Sequence, residues 1–166
     1  MKNRKGTTLL PEEVLKIVVA IICIGFLVFL LISIYLSATG DQKKKQAEEI
    51  MNSNNGLKAE IERVNAGGAP LEQGKLIPNP SGWYVLSFTN GETKPNKCVE
   101  ENCICICEAV TFEIFNWQKR QIEKCDDKGS CVVVSNLENF EKIKIEKGGI
   151  ALSITKVNEE IEIKRK

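Results

Sequence analysis

The stretch 97-KCVEENCICICEAV-110 puts four cysteines into ten residues, three of them on alternate positions, Cys103, Cys105 and Cys107. On a strand those three side chains share one face, and Ile104 and Ile106 take the other. Same-face neighbours on a strand lie about 6.5–7 Å apart at Cα, beyond comfortable disulfide reach. Each strand cysteine therefore seeks a partner elsewhere, and Cys98, Cys125 and Cys131 are available. Local closures, Cys98 with Cys103 or Cys125 with Cys131, also remain open, since both enclose short turn-like loops. Six cysteines allow fifteen connectivities, and sequence does not choose among them. All six are disulfide candidates. The alternative makes the same six, Cys98, Cys103, Cys105, Cys107, Cys125 and Cys131, thiolate ligands of copper(I) or an iron–sulfur cluster. Zinc suits them poorly, and a redox role is weaker still, because no Cys-x2-Cys pair occurs.

The choice depends on the compartment, which the other end of the chain decides. Ile17 to Ala38 reads IVVAIICIGFLVFLLISIYLSA without a charge. About twenty apolar residues at 1.5 Å rise span a bilayer core of roughly 30 Å. A signal peptide has an apolar core of only about 7–15 residues, although Ser37-Ala38-Thr39 is small enough to keep cleavage as a minor alternative. The segment reads as a transmembrane helix over residues 11–38 with its core at 17–38. Pro11 suits a first helical turn, and Glu12 and Glu13 suit the positive end of the helix dipole. Cys23, inside the apolar run, reads as a small filler.

Lys2, Arg4, Lys5 and Lys16 precede this run and Lys43, Lys44 and Lys45 follow it, a near tie that leans toward a cytoplasmic N-terminus. Long C-terminal domains translocate largely regardless of charge. An even number of cysteines in a small domain fits an oxidising exterior, so the C-terminal part is expected outside the cell membrane and its thiols paired.

The chain has no histidine. That removes Ser-His-Asp and Cys-His pairs, histidine-ligated zinc and the commonest general acid/base. No Walker loop, GxGxxG or nucleic-acid signature occurs, and a net charge of +1 offers no field for a polyanion. No enzyme activity, no cofactor and no nucleic-acid partner are expected.

Beyond the apolar run, Ala47, Ile50, Met51, Leu57, Ile61 and Val64 recur at helical spacing over residues 39–65, a helical stalk with a break at Asn52-Ser53-Asn54-Asn55-Gly56. Residues 66–81, rich in glycine and proline, read as a linker. Residues 82–166 read as a disulfide-stapled antiparallel β domain. Trp83 to Phe88 forms a strand ended by Asn90-Gly91, residues 103–115 are β-prone, and Cys131 to Val134 forms another strand. Ile143/Ile145, Ile150/Leu152/Ile154 and Ile161/Ile163 alternate with polar residues across turns at Lys147-Gly148-Gly149 and Asn158-Glu159-Glu160. That pattern predicts a three-strand meander with one buried face. The basic finish, Lys164-Arg165-Lys166, protects a sheet edge. The fold class is α+β: a long N-terminal transmembrane helix followed by a small antiparallel β-rich domain.

The opening KNRKGTTLLPEEVLKIVVAIICIGFLVFLLISIYL resembles the leader and first helix of type IV prepilins and archaeal pilin-like proteins. The matching pieces are a short basic leader (residues 1–10) ending in Lys5-Gly6, an acidic linker and a long apolar helix. The resemblance implies cleavage between Gly6 and Thr7 by a prepilin-type peptidase. It also implies a registering role for an acidic residue near the mature N-terminus, here Glu12, one place beyond the family's fifth mature position, where Pro11 stands. Lys16 interrupts the apolar run. The implied partners are the lipid bilayer and, through the N-terminal helix, copies of the chain or pilin-like subunits. The whole chain also resembles small single-pass archaeal envelope proteins with a cysteine-bearing ectodomain. The expected function is therefore that of a non-enzymatic, single-pass, membrane-anchored cell-surface protein, a pilin-like structural subunit. The plain alternatives are an ordinary signal-anchor and a tethered extracytoplasmic binding module. Trp83, Tyr84 and Trp117 would be that module's exposed features, or else core; a thiolate metal domain is the third.

Overall fold

The structure, a computed structural model, describes residues 11–110 and 117–166. Two compact units divide the chain, residues 1–39 and 40–166. Helix α1 runs from Pro11 to Asn52 and contributes to both. It is long and apolar enough to cross a membrane. Every large apolar side chain from Val14 to Leu36 is exposed, at 38–69% of its surface. In the second unit the same helix turns amphipathic, and Ala47 and Met51 are fully buried. Residues 53–56 interrupt it, and α2 (Leu57–Asn65) follows, burying Leu57, Ile61 and Val64 at helical spacing.

Among the described residues, seven strands follow in two sheets. Strand β1 (Leu71–Ile77), β6 (Ile150–Val157) and β7 (Glu160–Arg165) form one, in the order β1-β6-β7. Strands β2 (Tyr84–Phe88), β3 (Cys103–Cys107), β4 (Ser130–Val133) and β5 (Ile143–Lys144) form the other, in the order β4-β3-β2-β5. All strand pairs are antiparallel. The molecule is thus α+β. Helix α3 (Trp117–Lys128) lies between β3 and β4 in sequence. Strands β6 and β7 meet in a two-residue turn at Asn158-Glu159, both with positive φ, the turn type whose twist suits a hairpin.

The main core joins aliphatic residues of both sheets to α2 and the end of α1: Met51, Leu57 and Ile61 with Val85, Ile104, Ile106, Leu152, Ile154 and Ile163. Trp83 belongs to this core, at 2% exposure. Alternation explains the assignment. Val85 lies opposite Ile106 and Ile104 opposite Val132, so these residues share one face of the four-stranded sheet.

Three sequence expectations need correction. The stretch read as a linker, residues 66–81, contains β1. Among its described side chains this edge strand buries fully only Ile77, and it carries a bulge between Leu71 and Lys75, so it has no clean apolar alternation to betray it. The expected meander is divided between sheets. Ile143 pairs with Val85, and Ile145 exchanges hydrogen bonds with Gly82 and Trp83, its N–H donating to the Trp83 carbonyl at 2.8 Å. Alternation declares a strand and its buried face but does not name its neighbour. The β-prone reading of 103–115 ends at Cys107 in β3; its portion at 111–115 lies outside the described residues.

The turn at Lys147-Gly148-Gly149 therefore passes the chain from one sheet to the other. Gly149 has φ +91°, and a Cβ there would sit 2.6 Å from the Ile77 carbonyl oxygen. Gly149→Ala is expected to cost about 1–3 kcal/mol, through left-handed strain plus the clash with β1. Urea unfolding of the purified protein measures this directly, and an unchanged midpoint contradicts it.

Candidate functional site

The second face of the four-stranded sheet carries the sulfur chemistry. Cys103, Cys105 and Cys107 project from β3 opposite Phe88, Leu86 and Tyr84 of β2, and Cys131 of β4 lies opposite Cys105. Helix α3 adds Ile122 and Cys125 to this layer. Because β3 is central and both its faces are covered, all five of its residues are buried. Three disulfides are present. Cys98 joins Cys103, Cys105 joins Cys131 and Cys107 joins Cys125, with Cα separations of 5.6, 4.1 and 5.1 Å. Each strand cysteine is bonded to a residue outside β3, and the alternative closure of Cys125 on Cys131 is not formed.

Two polar residues hold this layer in register. Gln121 is buried, and its amide nitrogen donates to the Glu108 carbonyl at 3.0 Å while its amide oxygen accepts from the Val110 N–H at 3.0 Å. The same nitrogen lies 3.6 and 3.5 Å from the sulfurs of Cys107 and Cys125. Gln121 thus clamps the chain as it leaves β3 and closes the layer over one disulfide. Gln121→Leu keeps the volume but orphans the Val110 N–H and the Glu108 carbonyl, an expected loss of about 1–3 kcal/mol. Thermal unfolding with the disulfides intact reads that loss; no shift in midpoint contradicts the clamp.

Lys97 is the second. Its ammonium donates to the carbonyls of Gly129 at 2.7 Å and Cys125 at 3.3 Å, a cation at the C-terminal end of α3, where the helix dipole favours it. Burial of the ammonium against these carbonyls, with nearby Lys44 adding to it, lowers the pKa below the usual lysine value; Asp126 opposes the shift. The Asp126 carboxylate also accepts from the Asn96 side chain at 2.9 Å and from the Lys97 N–H at 3.3 Å. These bonds tie the short 3-10 turn Asn96–Cys98, and with it Cys98, to the end of α3. Gly129 fits this junction because it has no side chain: a Cβ would meet that of Cys107 at 2.7 Å.

Above the Cys105–Cys131 pair an open cleft of about 680 Å³ is lined by Glu48, Asn52, Lys97, Ser130 and Cys131, among others. Cys131 is half-buried there, whereas Cys98, Cys103, Cys105, Cys107 and Cys125 show no exposed surface. The sulfurs of Cys98, Cys103 and Cys105 converge within 4.8 Å of one another, spacing a soft metal ion could use. All three are in disulfides, and a metal takes thiolates.

Of the remaining expected positions, Glu12 falls in the first turn of α1, while Lys5, Gly6 and Thr7 lie outside the described residues. Cys23 is a free, exposed thiol of α1. Tyr84 is half-buried against the cystine layer, with the Lys142 ammonium 5.9 Å from its ring centre. The side chain of Trp117 lies outside those described. Gln121, Lys97 and Gly129 escaped sequence reasoning. Their signal was the polar helix itself: mostly good helix formers from Gln118 to Lys124, a buried face of Gln121, Ile122 and Cys125, and a glycine just past the end. Compared with protein-family models, with curated proteins and with solved structures, the chain finds no match.

Proposed function

We propose that the chain is a non-enzymatic, single-pass membrane protein whose residues 40–166 stand outside the cell, and that it serves as a pilin-like structural subunit. One observation carries this reading. Among its described residues the second unit exposes only Leu76, Val99, Val133 and Val157 of its large aliphatic side chains, scattered over its surface, yet α1 leaves every large apolar side chain from Val14 to Leu36 bare. Exposing that much contiguous apolar surface to water is untenable for a lone soluble protein. A bilayer covers it, or neighbouring copies of the same helix do once the subunits assemble. Three disulfides fit an oxidising exterior. The Lys5-Gly6 leader and the acidic start of α1 supply the pilin-like part of the proposal.

N-terminal sequencing of the membrane-extracted protein, paired with analysis of material sheared from the cell surface, separates the versions. The pilin-like reading expects a mature start at Thr7 and the chain in the sheared fraction. A start at Met1 with nothing in that fraction removes it and leaves a plain anchor.

A further inference from the structure

We propose that Cys131 is a thiol-reactive site, at which a dithiol opens the Cys105–Cys131 bond and the freed Cys105 then exchanges with the Cys98–Cys103 bond. The first step follows from access. Thiol–disulfide exchange needs a thiolate to reach one sulfur, and among the six bonded cysteines only Cys131 has exposed surface. It lines an open cleft together with Glu48, Glu49 and Lys97, wide enough for a small dithiol to enter. Attack on the Cys131 sulfur forms a mixed disulfide between reagent and Cys131 and expels Cys105 as a thiolate.

The second step follows from proximity. The Cys105 sulfur lies 4.0 Å from that of Cys98 and 3.9 Å from that of Cys103. A bond from Cys105 to Cys103 would join same-face neighbours of one regular strand, about 6.5–7 Å apart at Cα, at the limit of disulfide geometry. Attack on Cys98 is therefore favoured: a Cys98–Cys105 bond forms, and Cys103 leaves as a thiolate and is protonated. No electrons are gained or lost in this exchange. The second thiol of the reagent then closes on the mixed disulfide, leaving as a cyclic disulfide and freeing Cys131. The sum is one dithiol oxidised and one protein disulfide reduced, with the new thiols on Cys131 and Cys103 rather than on the original partners. Cys107–Cys125 stands aside, buried beneath Gln121.

The test uses the full chain in detergent micelles, with Cys23 blocked beforehand by N-ethylmaleimide. One equivalent of dithiothreitol is added, the reaction is quenched with acid, and free thiols are alkylated and mapped by peptide mass. The expected result is labelling of Cys131 and Cys103, each at least about tenfold above Cys107 and Cys125, together with a Cys98–Cys105 linked peptide. Labelling of Cys131 with Cys105 while Cys103 stays bonded overturns the exchange step. Prior opening of Cys107–Cys125 overturns the site. The Cys131→Ser variant gives an independent reading without reductant: its unpaired thiol is expected at Cys103, and finding it at Cys105 contradicts the relay.

Discussion

Full reduction of the three disulfides is expected to abolish the cooperative unfolding transition of residues 40–166 at room temperature. The bridges close spans of 5, 26 and 18 residues. In the loop-entropy description these contribute about 2, about 3.5 and about 3 kcal/mol, less when overlapping loops are counted together. Domains have about 5–15 kcal/mol in total, so losing most of that sum leaves little. The loss has a structural side as well. The cystine layer lies on one face of the four-stranded sheet, where, among the described residues, Cys98 of the 3-10 turn and Ile122 and Cys125 of α3 pack on it. With the Cys107–Cys125 bond cut, a largely polar helix has little reason to stay. Near-UV circular dichroism and urea unfolding, with and without a phosphine reductant, provide the comparison. A reduced protein with all six thiols free and an unchanged midpoint contradicts the stapling account.

The second large effect concerns α1. Ile24→Arg together with Val28→Arg places two charges near the middle of the apolar run, one turn apart. Each arginine at a helix centre costs about 2.5–3.5 kcal/mol on insertion scales, so the pair costs about 5–7 kcal/mol, beyond three powers of ten in partitioning. The double variant is expected to leave the membrane pellet under alkaline carbonate extraction, while the parent chain stays. Retention of both in the pellet would mean that something other than the apolar surface of α1 anchors the protein.

How much of this was open to a reader of residues alone depends on what each element buries. The apolar run of α1 and the hairpin of β6 and β7 were plain, because Ile150, Leu152, Ile154, Ile161 and Ile163 alternate strictly and all are buried. The two faces of β3 were equally plain from alternate cysteines and isoleucines. Strand β1 was hidden because an edge strand can be held by main-chain pairing to β6 while exposing Leu76 and burying little else. Helix α3 was hidden because β-prone residues precede it without a break signal, and because Gln121, Ile122 and Cys125, its buried positions among the described side chains, make too short a face to show a period. The partnership of β5 was undecidable from its own residues, since Ile143 and Ile145 suit either sheet. Disulfide connectivity needed the register of β4 on β3, which places Cys131 opposite Cys105.

The central claim is that the chain crosses the membrane once and delivers residues 40–166 to the outside. It is tested most directly by labelling intact cells that express it with a membrane-impermeant amine-reactive biotin reagent, then mapping the modified lysines. Lys119, Lys142 and Lys147 are exposed on the folded unit and are expected to be labelled before lysis. If they remain unmodified on intact cells but react fully once the cells are opened, the domain faces the cytoplasm and the account is wrong.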